Sequence, residues 1–209
     1  LSRLAEDMVL WSSAEFGFAR MPDEFSTGSS LMPQKRNPDS MELLRGKAAR
    51  FQASLTHLLT LTKGLPLTYN RDLQDDKPPL FDAADQLILS VAVADATLAG
   101  TKFHKARCLA AASDPALLAT DLADWLVRKG MPFRHAHHAV GRLVALAEKS
   151  GVPLDKLSDD AALTADKAFT KGWREVFSLQ RGFAARENTG MPGPKAVARE
   201  IARWKQSLR

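Results

Sequence analysis

The stretch Gly28-Ser29-Ser30-Leu31-Met32-Pro33-Gln34-Lys35-Arg36-Asn37-Pro38 runs directly into a long apolar pattern that lasts to about Lys63. There Leu43, Leu44, Ala48, Phe51, Leu55, Leu58, Leu59 and Leu61 recur at the three- and four-residue steps of one helix face. Pro38 suits a first helical position, where a missing N–H costs nothing, and Asn37 before it is a good N-cap. Gly64 marks the stop. A helix of this length points to a bundle, in which facing side chains from several helices can build one site.

Upstream, Leu1, Leu4, Met8, Trp11 and Phe16 fall close to one face, and the spacing predicts a helix that breaks at Met21-Pro22. Downstream, residues 64–79 form a polar connection bounded by prolines. A third long helix is expected from about Leu80 through Ala99, with Gly100-Thr101 as its stop. After Ser113-Asp114-Pro115 the pattern changes to shorter helices, separated by Gly130-Met131-Pro132, Gly151-Val152-Pro153 and Gly190-Met191-Pro192-Gly193-Pro194. Asp114 before Pro115 is a cap-and-start pair. No useful β-alternating run occurs. The expected fold is all-α: residues 1–110 as part of a long-helix bundle, then 111–209 as a small carboxy-terminal helical domain.

The 209 residues are 45% hydrophobic and 25% charged, the balance of a globular protein. The net charge of +5 comes from 29 Lys and Arg against 24 Asp and Glu, spread without a run of like charges, so nucleic acid is not implied as a partner. Cys108 stands alone and no Cys/His spacing suggests zinc, which fits a reducing, cytoplasmic setting. With no run of about 18 consecutive apolar residues, no membrane span is expected. The opening Leu1-Ser2-Arg3-Leu4 reads as a helix already under way, which leads us to expect a carboxy-terminal piece of a longer chain.

The 28–38 loop also carries chemistry. Two hydroxyls follow a glycine, and Lys35 stands beside a helix start whose free amides favour anions. A carboxylate-bearing substrate near Ser29 would suit it. The remaining candidates read as structural. His135 and His138 lack a third ligand, and Asp72, Asp75 and Asp76 lack a glycine-centred calcium loop, so no metal is expected. His57 and His104 read as packing or surface residues, and Trp11, Trp125, Trp173 and Trp204 as core or interface anchors.

The loop resembles the pattern Gly-Ser-Ser-x-Met-Pro-x-Lys-x-Asn-Pro of the fumarase/aspartase superfamily, with every fixed position present. Two further segments, Thr68-Tyr69-Asn70-Arg71-Asp72-Leu73-Gln74-Asp75-Asp76-Lys77 and 118–134, resemble the argininosuccinate lyases within it. Only the turn at 187–193 departs from the family pattern. The resemblance implies reversible elimination of fumarate from argininosuccinate, without a cofactor. It implies Ser29 as catalytic base, with Ser30 as the alternative, and Lys35 as a stabiliser of the intermediate. Ser30, Asn37, Tyr69, Arg71, Gln74 and Lys77 would contact substrate. It also implies a homotetramer whose sites each draw on three subunits, and members about twice this long whose amino-terminal part supplies a Thr-His pair. Another succinyl-substrate lyase of the adenylosuccinate or aspartase type, or a non-catalytic crystallin-like homologue, remains open.

Overall fold

The computed structural model describes residues 1–67 and 69–208, which fold as two units, Leu1–Cys108 and Leu109–Arg209. Among the described residues the architecture is all-α, with strands of only two residues each.

In the first unit α1 (Ser2–Ser12), α2 (Asp39–Leu61) and α3 (Lys77–Gly100) lie side by side. The pairing of α2 with α3 is antiparallel. Lys47 Nζ donates to Gln86 Oε1 at 2.5 Å, Arg50 pairs with Asp82, and Thr97 Oγ1 meets Ser40 Oγ at 3.4 Å, so partner numbers fall as α2 advances. The core is small and methionine-rich, built from Ala5, Met8, Ala19, Met21, Met41, Leu44 and Ala94. Beyond it the long helices keep large apolar side chains in the open: Leu43 is 68% exposed, Leu59 64% and Ile88 71%.

The residues 71–100 carry one structural surprise. Over an 18-residue window they reach a mean hydropathy of 1.3, long and apolar enough to cross a membrane by length and composition. Asp82, Asp85, Gln86, Ser90 and Asp95 interrupt its apolar runs, so the high mean hydropathy goes with no unbroken apolar stretch of that length.

Two short antiparallel ladders fix the loops, of which only the second is a hairpin. β1 (Ala19–Arg20) pairs with β4 (Lys102–Phe103), and β2 (Thr27–Gly28) pairs with β3 (Arg36–Asn37). They correct two expectations. Helix α1 ends at Ser12 rather than at Met21, because the chain turns at 13–18 to enter β1. Phe16 therefore lies off the helix and is exposed, as are Leu1, Leu4 and Trp11. Asn37 does not cap α2, because it belongs to β3; Pro38 occupies the cap position and the helix begins at Asp39. Asp39 and Glu42 then place two acids in the first turn, so this helix start already carries its own negative charge.

Helix α4 (Lys105–Ala112) runs across the boundary into the second unit. Asp114 accepts from the Ala116 N–H at 2.9 Å ahead of Pro115, the expected cap. Helices α5 (Ala119–Arg128), α6 (Phe133–Ser150) and α7 (Asp159–Ala165) bury Leu122, Leu126, Ala136, Val140, Leu143 and Ala162. Gly151 ends α6 at φ +66, a left-handed position that only glycine takes without strain. Trp173 closes this core at 1% exposure, its ring between Phe169 and Phe177 at 6.0 and 5.9 Å. Its indole N–H donates to Asp159 Oδ1 at 3.0 Å. Helices α8 (Leu179–Ala184) and α9 (Pro194–Ser207) follow, with the Glu187 carboxylate accepting from the Lys195 and Ala196 N–H groups at the start of α9.

The buried ring gives a direct test. Trp173→Ala should destabilise the second unit by about 3–5 kcal/mol, the usual cost of emptying a large aromatic site, read by denaturant unfolding followed by circular dichroism. Asp159 adds a pH signature. Hydrogen bonds from Trp173 first and Arg174 second hold its carboxyl below the usual carboxylate range. A lowered folded-state pKa contributes stability that is present above the ordinary value and lost as pH falls through the lowered one. Asp159→Asn should therefore match the wild-type melting temperature more closely in acid than at neutral pH.

Candidate active site

The 28–38 loop is a hairpin tip. β2 and β3 set Thr27 opposite Asn37 and Gly28 opposite Arg36, leaving residues 29–35 to close the turn. Inside it Ser29 Oγ accepts the N–H of Leu31 at 3.2 Å and of Met32 at 3.1 Å. Such a local turn is typical of serine, whose hydroxyl reaches backbone groups two and three residues on. The Lys35 N–H then bonds Met32 O at 3.0 Å, tightening the loop before β3. Ser30 is exposed, and its hydroxyl makes no hydrogen bond among the described residues.

Lys35 and Asn37 line an open cleft of about 940 Å³ with Arg20, Glu42, His104 and Arg107. Cations outnumber acids there. Lys35 is exposed and has no ion pair among the described residues, whereas Arg36 and Arg20 both face Asp23, at 3.3 and 3.7 Å. Gly17, at φ +56, has no side chain where the Arg107 guanidinium lies. At the loop's root Asp39 Oδ2 accepts the Thr27 N–H at 2.7 Å. The Thr27 hydroxyl foremost, joined by that N–H against the opposing effect of burial, holds the Asp39 carboxyl below the usual carboxylate range. Sequence reasoning passed over Asp39, Glu42 and Arg107. The first two carried a readable signal, as acids in the opening turn of the helix that the loop enters.

The second predicted group stands apart. Tyr69 is 79% exposed and its hydroxyl accepts from Arg71 Nη1 at 3.1 Å. Residues 71–76 form a 3-10 turn leading into α3, with Gln74 exposed and Lys77 Nζ donating to Asp76 Oδ1 at 3.0 Å. His57 Nε2 meets Asp75 Oδ2 at 3.1 Å, so this segment lies beside the far end of α2. Thr68, which opens the segment, lies outside the described residues. From Asp39 to His57 the helix advances eighteen residues, about 27 Å at 1.5 Å each. One chain thus gathers Ser29, Ser30, Lys35 and Asn37 in one hairpin, and Tyr69, Arg71, Gln74 and Lys77 in another place.

Residues 116–184 match the family described as Argininosuccinate lyase C-terminal, and residues 1–53 match the family described as Lyase. Curated argininosuccinate lyases align along the whole chain: that of Roseiflexus sp. (strain RS-1) is 54% identical over 208 residues. That of Bartonella bacilliformis is 47% identical over 209. Along its whole length the chain is similar to argininosuccinate lyases. It spans under half the length of these relatives, 46% and 45%, and corresponds to their carboxy-terminal part. Among solved structures, EDDS lyase in complex with formate superposes at a TM-score of 0.84 with 29% identity, covering 99% of this chain and 43% of that one. An EDDS lyase variant with bound fumarate gives 0.83 at 28% identity, with the same coverage.

The Ser29 turn can be checked directly. Ser29→Ala removes the acceptor of two amides, so hydrogen exchange at Leu31 and Met32 should quicken. Ser30→Ala should leave both rates unchanged. Equal effects of the two substitutions would mean that the turn does not depend on Ser29.

Proposed function

We propose that this chain contributes two separate parts of the active site of an argininosuccinate lyase, which splits argininosuccinate into arginine and fumarate. Ser29 Oγ removes a proton from the carbon beside a succinyl carboxylate. The electron pair moves onto that carboxylate, giving an aci-carboxylate dianion. The C–N bond then breaks, and the guanidino group leaves with a proton as arginine. The dianion is the costly species, and oriented N–H donors and cations around it lower the barrier. Lys35 supplies a cation and Asn37 an amide for the carboxylate. Tyr69, Arg71, Gln74 and Lys77 hold the succinyl and arginine ends in a second group.

One observation carries the choice of base: Ser29 Oγ already sits under two backbone N–H donors, while the Ser30 hydroxyl has no such partners. Donors aimed at an oxygen favour its charged form, which is what an alkoxide base requires. Curated argininosuccinate lyases at about half identity support the substrate, and the fumarate and formate bound to EDDS lyases support a small carboxylate at such a site.

The separation along α2 governs assembly. A substrate of amino-acid size does not bridge about 27 Å, so each site is completed by different chains, in a homotetramer of the complete enzyme. The bare apolar faces of α2 and α3 suit that arrangement. A protonated partner for the leaving guanidino group is assigned to the amino-terminal part present in the longer relatives, which leaves the 209-residue chain inactive by itself.

The test is fumarate release by the complete enzyme, measured by absorbance. Ser29→Ala should lower turnover by at least about a hundredfold, the low end for a positioned base, with substrate binding retained; greater damage from Ser30→Ala would reverse the assignment. Mixing inactive Ser29→Ala enzyme with inactive Lys77→Met enzyme should restore part of the activity, because some mixed sites take both groups from intact chains. Turnover of adenylosuccinate or aspartate in place of argininosuccinate would move the protein elsewhere in the superfamily. Robust turnover by the 209-residue chain alone would refute the division of the site.

A further inference from the structure

The hairpin that carries Ser29 and Lys35 has very little to hold it. Two residue pairs close it, Thr27 with Asn37 and Gly28 with Arg36, and so short a ladder is marginal in water. Ser29 lies two residues after Thr27, and Lys35 two before Asn37, so both reactive groups hang from the same root pair. What fixes that root lies just beyond it. The Thr27 N–H donates to Asp39 Oδ2 at 2.7 Å, a charge-assisted bond of the stronger kind. Asn37 Nδ2 donates to Thr27 Oγ1 at 3.4 Å. Between them the Pro38 carbonyl accepts the N–H groups of Met41 and Glu42, both at 3.0 Å, which anchors the chain to the first turn of α2.

We infer that Asp39 is a positioning residue for the proposed elimination: its carboxylate clamps the root of the loop to α2 and so sets where Ser29 and Lys35 stand. The inference rests on the lyase reading of this loop. The lowered pKa of Asp39 agrees with the clamp, since donors from Thr27 favour the carboxylate. A simpler role is available to any acid in a first helical turn, namely stabilising α2 through the helix dipole. That role needs only negative charge near the helix start. The clamp needs an acceptor oxygen at the reach of an aspartate or asparagine side chain, and the two requirements come apart on substitution.

The experiment uses the complete enzyme with Asp39→Ala, Asp39→Asn and Asp39→Glu, reading kcat and KM for argininosuccinate. Hydrogen exchange of the peptide covering 24–38 is followed in parallel, and thermal melting reports on folding. Asp39→Ala should lower kcat by at least about tenfold, as a small misplacement of reacting groups does, and should raise exchange in that peptide. Asp39→Asn keeps the acceptor without the charge and should stay within about threefold of wild type. Asp39→Glu keeps the charge but moves the oxygen, and should resemble Asp39→Ala. An active Asp39→Glu beside an impaired Asp39→Asn would overturn the clamp in favour of the dipole. This comparison holds even if Asp39→Ala fails to fold. Wild-type enzyme without turnover overturns the lyase reading, whereas unchanged exchange in Asp39→Ala overturns the clamp, so the two failures are distinguishable.

Discussion

A single rigid helix constrains the whole amino-terminal unit. α2 connects the hairpin bearing Ser29 to the polar segment bearing Lys77, and its internal hydrogen bonds leave it no way to shorten. The ion pair of Arg50 with Asp82 and the bond from Lys47 to Gln86 hold α3 against it in one antiparallel register. Whatever α3 carries at its start is thereby pinned beside the far end of α2. The polar groups are displayed at two ends of a rod, a geometry that serves chemistry only when another surface meets each end.

The two units manage their apolar surface differently. The second unit closes around Trp173, with Phe169, Leu122, Leu126 and Leu143 sealed within it. Its polar contacts lie at the edges of that core, as in the bond from Arg186 to Asp121 at 2.8 Å. In the first unit, alanines and methionines occupy the buried apolar positions beside Leu44, while other leucines and an isoleucine point outward. Small buried side chains let the helices approach closely without using up their larger apolar neighbours.

Long helices were legible in the sequence because heptad-like spacing survives whatever covers the helix. The start of α2 was not. Asn37 and Pro38 carry strong cap and first-turn preferences, yet Asn37 is drawn into β3 by its pairing with Thr27, ten residues away. Local propensity cannot register that competition. The end of α1 was missed for a related reason: Phe16 keeps the helical spacing but packs on Phe18 in the turn, with ring centroids 5.4 Å apart. Of the candidate site, residue identities could be read from the motif, and so could the grouping within each segment. The distance between the groups could not, since it depends on α2 being one unbroken rod. Asp39 was legible as an acid in the first turn of α2, but its bond to Thr27 was not, and neither was the approach of Arg107 to Gly17, because both depend on residues far away along the chain.

Helix α3 invites one last consideration. By composition it could lie in lipid, yet Asp85 and Asp95 stand exposed on it and unpaired among the described residues. Near the centre of a bilayer each carboxylate would cost about 2.5–3.5 kcal/mol, while a protein surface can meet the same two points with cations or trapped water. Two aspartates thus act as a filter on what can cover this helix: they discriminate against a hydrocarbon environment and favour a partner that is itself polar at the matching positions.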